Sequence, residues 1–165
     1  MESKLIIIRG NSGSGKTTTA KNLQAHLGSG NLLVSQDTVR RDMLKVRDRE
    51  GNLSIDLIRQ IAEYGKNKCE FVIVEGILVS HYYGEMLHGL IEFFDRKSYA
   101  FYFELPFEET LKRHNSSPKK SEFGEESLRT WWNPKDYLGV ENEISLTEEM
   151  SQKDVLEVIL RQIEK

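Results

Sequence analysis

Two rhythms of apolar residues alternate along the chain. Short unbroken runs, Lys4-Leu-Ile-Ile-Ile-Arg9 and Phe71-Val-Ile-Val74, are what strands buried on both faces require. Between them lie longer stretches whose apolar positions recur at helical spacing. The first strand leads into a glycine-rich turn and a helix over Lys16–Leu27, closed by Gly28 and Gly30. Asn31–Gln36 reads as a second strand and Asp37–Val46 as a helix. Arg47–Asn52 reads as a charged, mobile connection. Ser54 is placed to cap a helix running to about Asn67, with Ile55, Ile58, Ile61 and Ala62 on one face. Phe71–Val74 is the third strand, and a helix beginning at Ser80 or Tyr83 runs to Phe94. Ser98–Leu105 is the fourth strand, and Pro106 opens a helix over Phe107–His114. A polar excursion follows, residues 115–127, of lid-like composition. A short strand near Glu143–Leu146 and a helix over Ser151–Ile163 complete the pattern.

Strands alternating with helices predict an α/β fold, a parallel sheet between two helical layers joined by right-handed crossovers. The 165 residues suit one domain, and no repeat or low-complexity tract divides them. Ligands in such sheets bind beyond the carboxyl ends of the strands, so residues 10–17, 36–41, 75–83 and 104–107 hold the candidate chemistry.

Charge and cysteine content narrow the classes. Twenty-three Lys and Arg against 26 Asp and Glu leave a net charge of −3, which argues against a general nucleic-acid coat protein. The single Cys69 cannot form an internal disulfide and reads as a half-buried structural thiol. No run is long enough to span a membrane, and no signal-peptide pattern precedes the first strand, so a cytoplasmic protein is expected.

The turn after the first strand reads Gly10-Asn-Ser-Gly-Ser-Gly-Lys16-Thr17 and satisfies G-x-x-x-x-G-K-[ST]. Its glycines let backbone N–H groups converge on phosphate oxygens at a positive helix end, Lys16 reaches the β- and γ-phosphates, and the Thr17 hydroxyl can ligand Mg²⁺. The motif sits between a strand and a helix, the context that distinguishes it from a chance glycine loop. Asn11, Ser12, Gly13, Ser14, Gly15, Lys16, Thr17 and Thr18 are therefore the candidate nucleotide-binding residues, with ATP and Mg²⁺ as cofactors. No N-K-x-D sequence for guanine occurs, which favours adenine.

Three further positions suggest what happens to the phosphate. Asp37 ends the second strand, where a carboxylate could accept the proton of an acceptor hydroxyl or orient it. It could equally cap the helix it opens. Arg40 lies one turn on, within reach of acceptor or phosphate. Glu75 ends the third strand, where it could hold Mg²⁺ through water, touch the acceptor, or bond loop amides. Arg113 runs into the lid beside Lys112, Lys119 and Lys120, and a lid cation would stabilise the transferring group while water is excluded. His114 reads as a surface or capping histidine, Trp131 and Trp132 as core anchors beneath the lid, and His81-Tyr82-Tyr83 as either a pocket lining or a helix start. Arg40, Arg41, Lys45, Arg47 and Arg49 form a basic stretch on the acceptor side. No Ser-His-Asp order, zinc motif or cysteine nucleophile appears.

The phosphate loop with Asp37-Thr-Val-Arg40 resembles the D-x-x-R arrangement of bacteriophage polynucleotide 5′-hydroxyl kinase. It is also similar to chloramphenicol phosphotransferase and zeta-toxin-type kinases, in which the carboxylate at this strand end is the proposed base. Leu111-Lys-Arg113-His-Asn115-Ser is similar to the start of the polynucleotide kinase lid, and the likeness touches Leu128-Arg129 and Asp136-Tyr-Leu-Gly139. It spans most of residues 4–139. More broadly, the chain looks like small bacterial uridine-kinase-like P-loop proteins. The resemblance implies a three-layer P-loop sandwich with a five-stranded sheet in the order 2-3-1-4-5 and a short lid, with Lys16, Asp37, Arg40 and Arg113 as catalytic residues. It departs at the second lid arginine, where Lys119 and Lys120 are point charges without a planar fork.

The expectation is an ATP-dependent kinase acting on a hydroxyl of a small acceptor, for instance a nucleoside or nucleotide. The alternatives are a polynucleotide 5′-hydroxyl kinase, which the net negative charge disfavours, and a nucleotide-dependent switch without an acceptor.

Overall fold

Leu5 and Ile7 face one side of the sheet and Ile6 and Ile8 the other, and none of the four is exposed. That arrangement fixes the central strand. In the computed structural model, which describes residues 1–165, β1 (Lys4–Gly10) pairs in parallel with β3 (Phe71–Gly76) on one side and β4 (Ser98–Glu104) on the other. β2 (Leu32–Ser35) pairs beyond β3, and β5 (Ile144–Thr147) beyond β4. The order is therefore β2-β3-β1-β4-β5, all parallel, as the resemblance implied.

Two hydrophobic cores follow from the alternation. On one face Leu5, Ile7, Val72 and Val74 meet Ile58 and Ala62 of α2 (Leu53–Gly65) and Tyr83, Leu87 and Leu90 of α3 (Ser80–Phe93). On the other, Ile6, Ile8, Ile73 and Phe101 meet Ala20 and Leu23 of α1 (Lys16–Leu27) and Val155, Ile159 and Ile163 of α6 (Gln152–Ile163). Ser151 and Asp154 start α6 with a reciprocal capping box. No helix is long and apolar enough to cross a membrane.

Four local expectations change. Asp37–Val46 is not an ordinary helix: Thr38–Leu44 is a π-helical turn, closed by a left-handed Lys45 (φ 55°) and by Val46 N–H donating to the Arg40 carbonyl (3.1 Å). Such wide turns recur at functional sites. The cap of α2 is Asn52 rather than Ser54, with Asn52 Oδ1 accepting from Ser54 N–H (3.0 Å). Residues 47–52 form a tethered connection. The Tyr83 hydroxyl, fully buried, donates to Asp48 Oδ1 (2.7 Å) and accepts from Asn52 Nδ2 (3.2 Å). Finally, α4 (Phe107–Asn115) is followed by a 3₁₀ turn over Pro118–Ser121 and by α5 (Glu125–Trp131), which overlaps the end of the stretch expected to be an irregular lid.

Candidate active site

The carboxyl ends of β1, β2 and β3 converge on one chamber of about 150 Å³, lined by Gly13, Gly15, Lys16, Thr17, Asp37, Glu75 and Lys119. Gly10 to Gly15 connect β1 to α1. Gly13 has a left-handed backbone (φ 83°), and a Cβ there would sit 2.7 Å from the Thr110 carbonyl, so only glycine lets the loop pass under α4. The loop is thus seated against α4, with its apex left for a ligand. Lys16 is buried. Its Nζ donates to the Asn11 carbonyl (2.8 Å) and lies 3.4 Å from Ser14 Oγ. Burial pushes its ammonium down to about 8, opposed by the charges of Glu75 and Asp37. The lysine is thus folded back onto its own loop.

Thr17 Oγ1 donates to Glu75 Oε1 (3.2 Å), and Ser35 Oγ donates to the same oxygen (2.7 Å). Glu75 is therefore a buried carboxylate facing Thr17 across the loop rather than bonding loop amides. A hydroxyl and a carboxylate with room for phosphate oxygens and waters make an all-oxygen donor set that fits Mg²⁺, which keeps several waters and takes few protein ligands.

Asp37 stands across the chamber, half-exposed. Its side chain makes no capping hydrogen bond, so the cap reading for this residue does not hold. Its carboxylate instead lies between two cations, Arg40 Nη2 at 3.9 Å and Lys119 Nζ at 3.5 Å. Arg40 also donates to the Val46 carbonyl (3.0 Å), which ties it to the π-helical turn. Of the two lid lysines, Lys119 lines the chamber and Lys120 does not. Arg113 Nε donates to Glu109 (3.0 Å) and Nη1 to the Ser14 carbonyl (2.8 Å), which fixes its guanidinium at the edge of the loop beside Gly15. The structure therefore brings Lys16, Thr17, Asp37, Glu75 and Lys119 together, with Arg40 and Arg113 at the margins. The side chains of Asn11 and Ser14 turn away into the protein, and Ser12 and Thr18 line the chamber.

Several groupings read from the sequence come apart. His81 and Tyr82 lie outside the chamber and Tyr83 is buried behind it, because α3 carries them away from the carboxyl edge. Of the basic stretch only Arg41 joins Asp37 at a cavity wall; Arg40 turns inward, and Lys45, Arg47 and Arg49 line neither cavity. His114 is buried, not superficial: its Nε2 pairs with the Phe123 carbonyl (2.7 Å) and its ring stacks on Phe123 (4.6 Å), pinning the lid to α4. Trp132 packs edge-on against Phe107, but Trp131 is half-exposed against Phe123, so only the first anchors toward the core.

One group was missed altogether. Arg9, at the end of β1, is almost fully buried; Nη2 pairs with Asp136 Oδ2 (2.7 Å), Nη1 donates to the Asp136 carbonyl (2.8 Å), and Nε donates to the Leu78 carbonyl (3.1 Å). Asp136 also accepts from Ser80 N–H (2.9 Å) and the Ser80 hydroxyl. Leu78 carries a left-handed backbone (φ 43°), and Gln36 Oε1 accepts its N–H (2.9 Å). Strain of this kind persists only where surroundings over-determine it. Here Arg9 holds one side and Gln36, the neighbour of Asp37, the other. Asn11 completes the scaffold through two bonds to Asn133, its Oδ1 accepting from the backbone N–H (2.6 Å) and its Nδ2 donating to the carbonyl (2.7 Å). An arginine inside an apolar run is the signal that could have found this network, since a buried charge demands a partner.

Comparison with known proteins places this arrangement. The profile of a family described as AAA domain matches residues 5–131, which takes in the phosphate loop, Asp37, Glu75 and Arg113. The chain belongs to that family. No curated protein matches its sequence. Among solved structures it superposes on the Mycobacterium tuberculosis APS kinase CysC, determined with AMPPNP and APS, at 15% identity and a TM-score of 0.72, covering 99% of each chain. A Sinorhizobium meliloti gluconokinase gives 14% identity and 0.71, with 99% of this chain and 93% of that one covered. A tunicamycin resistance protein of Deinococcus radiodurans gives 19% and 0.64, covering 98% and 95%. Across this AAA-domain chain and all three neighbours the shared property is the fold, a P-loop sandwich over their whole length.

Proposed function

We propose that the chain is an ATP- and Mg²⁺-dependent kinase that transfers the γ-phosphoryl group to a hydroxyl of a small molecule. One observation carries the reading: Asp37 faces Lys16, Thr17 and Glu75 across a single small chamber and is free of any capping bond. A carboxylate so placed can take or orient the proton of an attacking hydroxyl, and acceptor-dependent turnover distinguishes an acceptor's hydroxyl from water. Two of the neighbouring folds belong to kinases, APS kinase and gluconokinase, which supports the reaction class.

In this reading the backbone of Asn11–Thr18 cradles the triphosphate, and Lys16 leaves the Asn11 carbonyl for the β- and γ-phosphates. Thr17 and, through water, Glu75 would hold Mg²⁺, which would neutralise charge on the phosphates when bound. Asp37 takes the acceptor hydroxyl's proton as its oxygen bonds to the γ-phosphorus; the bond to the bridging oxygen breaks and its electron pair leaves on ADP. Arg40 positions Asp37. Arg113 and Lys119 set cations beside the transferring group, the lysine giving up Asp37 to do so.

The test is ATP consumption with Mg²⁺ against a panel of hydroxyl acceptors. Acceptor-stimulated turnover is expected, and Asp37→Asn should keep ATP binding while lowering kcat by about 10²–10⁴-fold, the range for a lost general base. A decrease below tenfold would remove Asp37 from the chemistry.

A further inference from the structure

Beside the nucleotide chamber lies a second cavity of about 550 Å³, in the range of small-molecule sites. The two share Thr17, Asp37, Glu75 and Lys119, so a molecule in the larger space meets the proposed transfer position directly. Its walls come from α1, β2, the π-helical turn, α2 and the lid. Their chemistry is distinctive in two respects.

First, no aromatic residue lines it; the apolar part is aliphatic, including Leu33, Met43 and Ile61. The aromatics nearby are committed elsewhere. Tyr83 is buried in its bonds to Asp48 and Asn52, Tyr82 packs into the core, and Tyr64 stands exposed on α2 with Lys68 over its ring. A nucleobase read by a protein is stacked on an aromatic or guanidinium plane and hydrogen-bonded at its edge. A strand of nucleic acid needs an excess of positive charge along a groove. The cavity has no aromatic platform, its one guanidinium is that of Arg41, and it has no excess of positive charge, since Asp37, Asp42, Glu75 and Glu122 outnumber Lys21, Arg41 and Lys119.

Second, Lys21, Arg41, Asp42 and Glu122 make no ion pair or side-chain hydrogen bond within the protein, although all four line the cavity. A wall carrying unengaged donors and unengaged acceptors in equal number suits a ligand whose groups do both. A hydroxyl is such a group, donating once and accepting twice. A set of hydroxyls along a saturated ring or chain satisfies both signs of charge and lies against the aliphatic floor.

We infer that the acceptor is a small, non-aromatic, hydroxyl-rich molecule of the sugar or polyol class, and that nucleosides and polynucleotides are not substrates. This rests on the kinase reading and deepens it. Wide as the class is, the wall discriminates within it: a site built to hydrogen-bond hydroxyls rejects analogues that lack them.

The experiment is phosphate transfer from ATP, followed by mass spectrometry, to two sets of compounds. One holds aldoses, aldonates, amino sugars, cyclitols and polyols; the other holds nucleosides, a phenicol alcohol and 5′-hydroxyl oligonucleotides. At least one member of the first set should gain a phosphate and none of the second. Arg41→Ala and Glu122→Gln, made separately, should then each raise the acceptor KM about tenfold, the loss of one hydrogen bond to a charged group, with the KM for ATP and the melting temperature unchanged. A phosphorylated nucleoside or oligonucleotide would overturn this inference and leave the kinase reading standing. So would an acceptor KM that neither substitution moves. ATP that binds but reaches no member of either set would bring down both.

Discussion

On the phosphate-loop side of the chamber the groups are buried or half-buried and already bonded, whereas on the proposed acceptor side they are exposed and unengaged. Lys16 rests on the Asn11 carbonyl, Glu75 holds Thr17 and Ser35, and Arg113 grips the Ser14 carbonyl. Opposite them, Lys21, Arg41, Asp42 and Glu122 reach into open space. The first side is a fixed instrument, suited in the proposed reading to one unvarying partner, the triphosphate. The second is a surface on which side chains can be exchanged without disturbing the scaffold. A fold that separates the two in this way can keep one reaction while changing what it acts on.

The comparison can be broken most sharply at Lys16. Lys16→Ala should abolish transfer completely while far-ultraviolet circular dichroism stays native; residual transfer above the uncatalysed rate would show that the loop does not act through this side chain. The rigidity of the nucleotide side is tested at its back wall. Asp136→Asn leaves the Arg9 guanidinium buried with only Glu143, 3.7 Å away, to face it. Burial already disfavours the charged arginine, and the Asp136 carboxylate is the main counterweight. Urea unfolding should therefore show a loss of about 3 kcal/mol, as expected when one partner of a buried pair is removed. An equal loss from Asp42→Asn, on the acceptor side, would erase the contrast.

A subtler effect concerns pH. Lys16 in the free protein sits at about 8, below its ordinary 10.5. The folded chain thus releases this proton earlier than the unfolded one, and the free protein gains stability as pH rises from 8 to 10.5. Bound polyphosphate restores the charge. Nucleotide binding should then take up about half a proton at pH 8, and affinity should fall as pH rises further. Calorimetry in two buffers of different ionisation enthalpy reads the uptake directly; a value of zero would mean that Lys16 is already charged in its resting place.

Much of this was legible in the sequence. Parallel strands announce themselves as apolar runs because both faces are covered, and the phosphate loop announces itself because backbone geometry, not side-chain context, does its binding. Thr17, Asp37 and Glu75 could be expected at one edge of the sheet since each lies at or just beyond the end of a strand that the topology fixes. What escaped depended on residues far apart in the chain. Arg9 and Asp136 are 127 positions apart, and His114 looked superficial until Phe123 folded over it. The π-helical turn was hidden as well, because side-chain spacing over so short a stretch does not distinguish i→i+5 from i→i+4 hydrogen bonding. Of the two readings of His81-Tyr82-Tyr83, pocket lining or helix start, the second holds: α3 begins at Ser80 and its register turns Tyr83 into the core.

The lid itself has an unusual suspension. Both of its ends are fastened to the same short loop, Arg113 to the Ser14 carbonyl and Asn133 to the Asn11 side chain. Everything between is a handle whose two roots stay put. Lengthening such a closed loop is cheap, about 0.6 kcal/mol for each doubling. The stretch from residue 116 to 124 can therefore change in length at little entropic cost, provided that Phe123 keeps its seat on His114 and that Lys119 and Glu122 keep their places on the cavity walls.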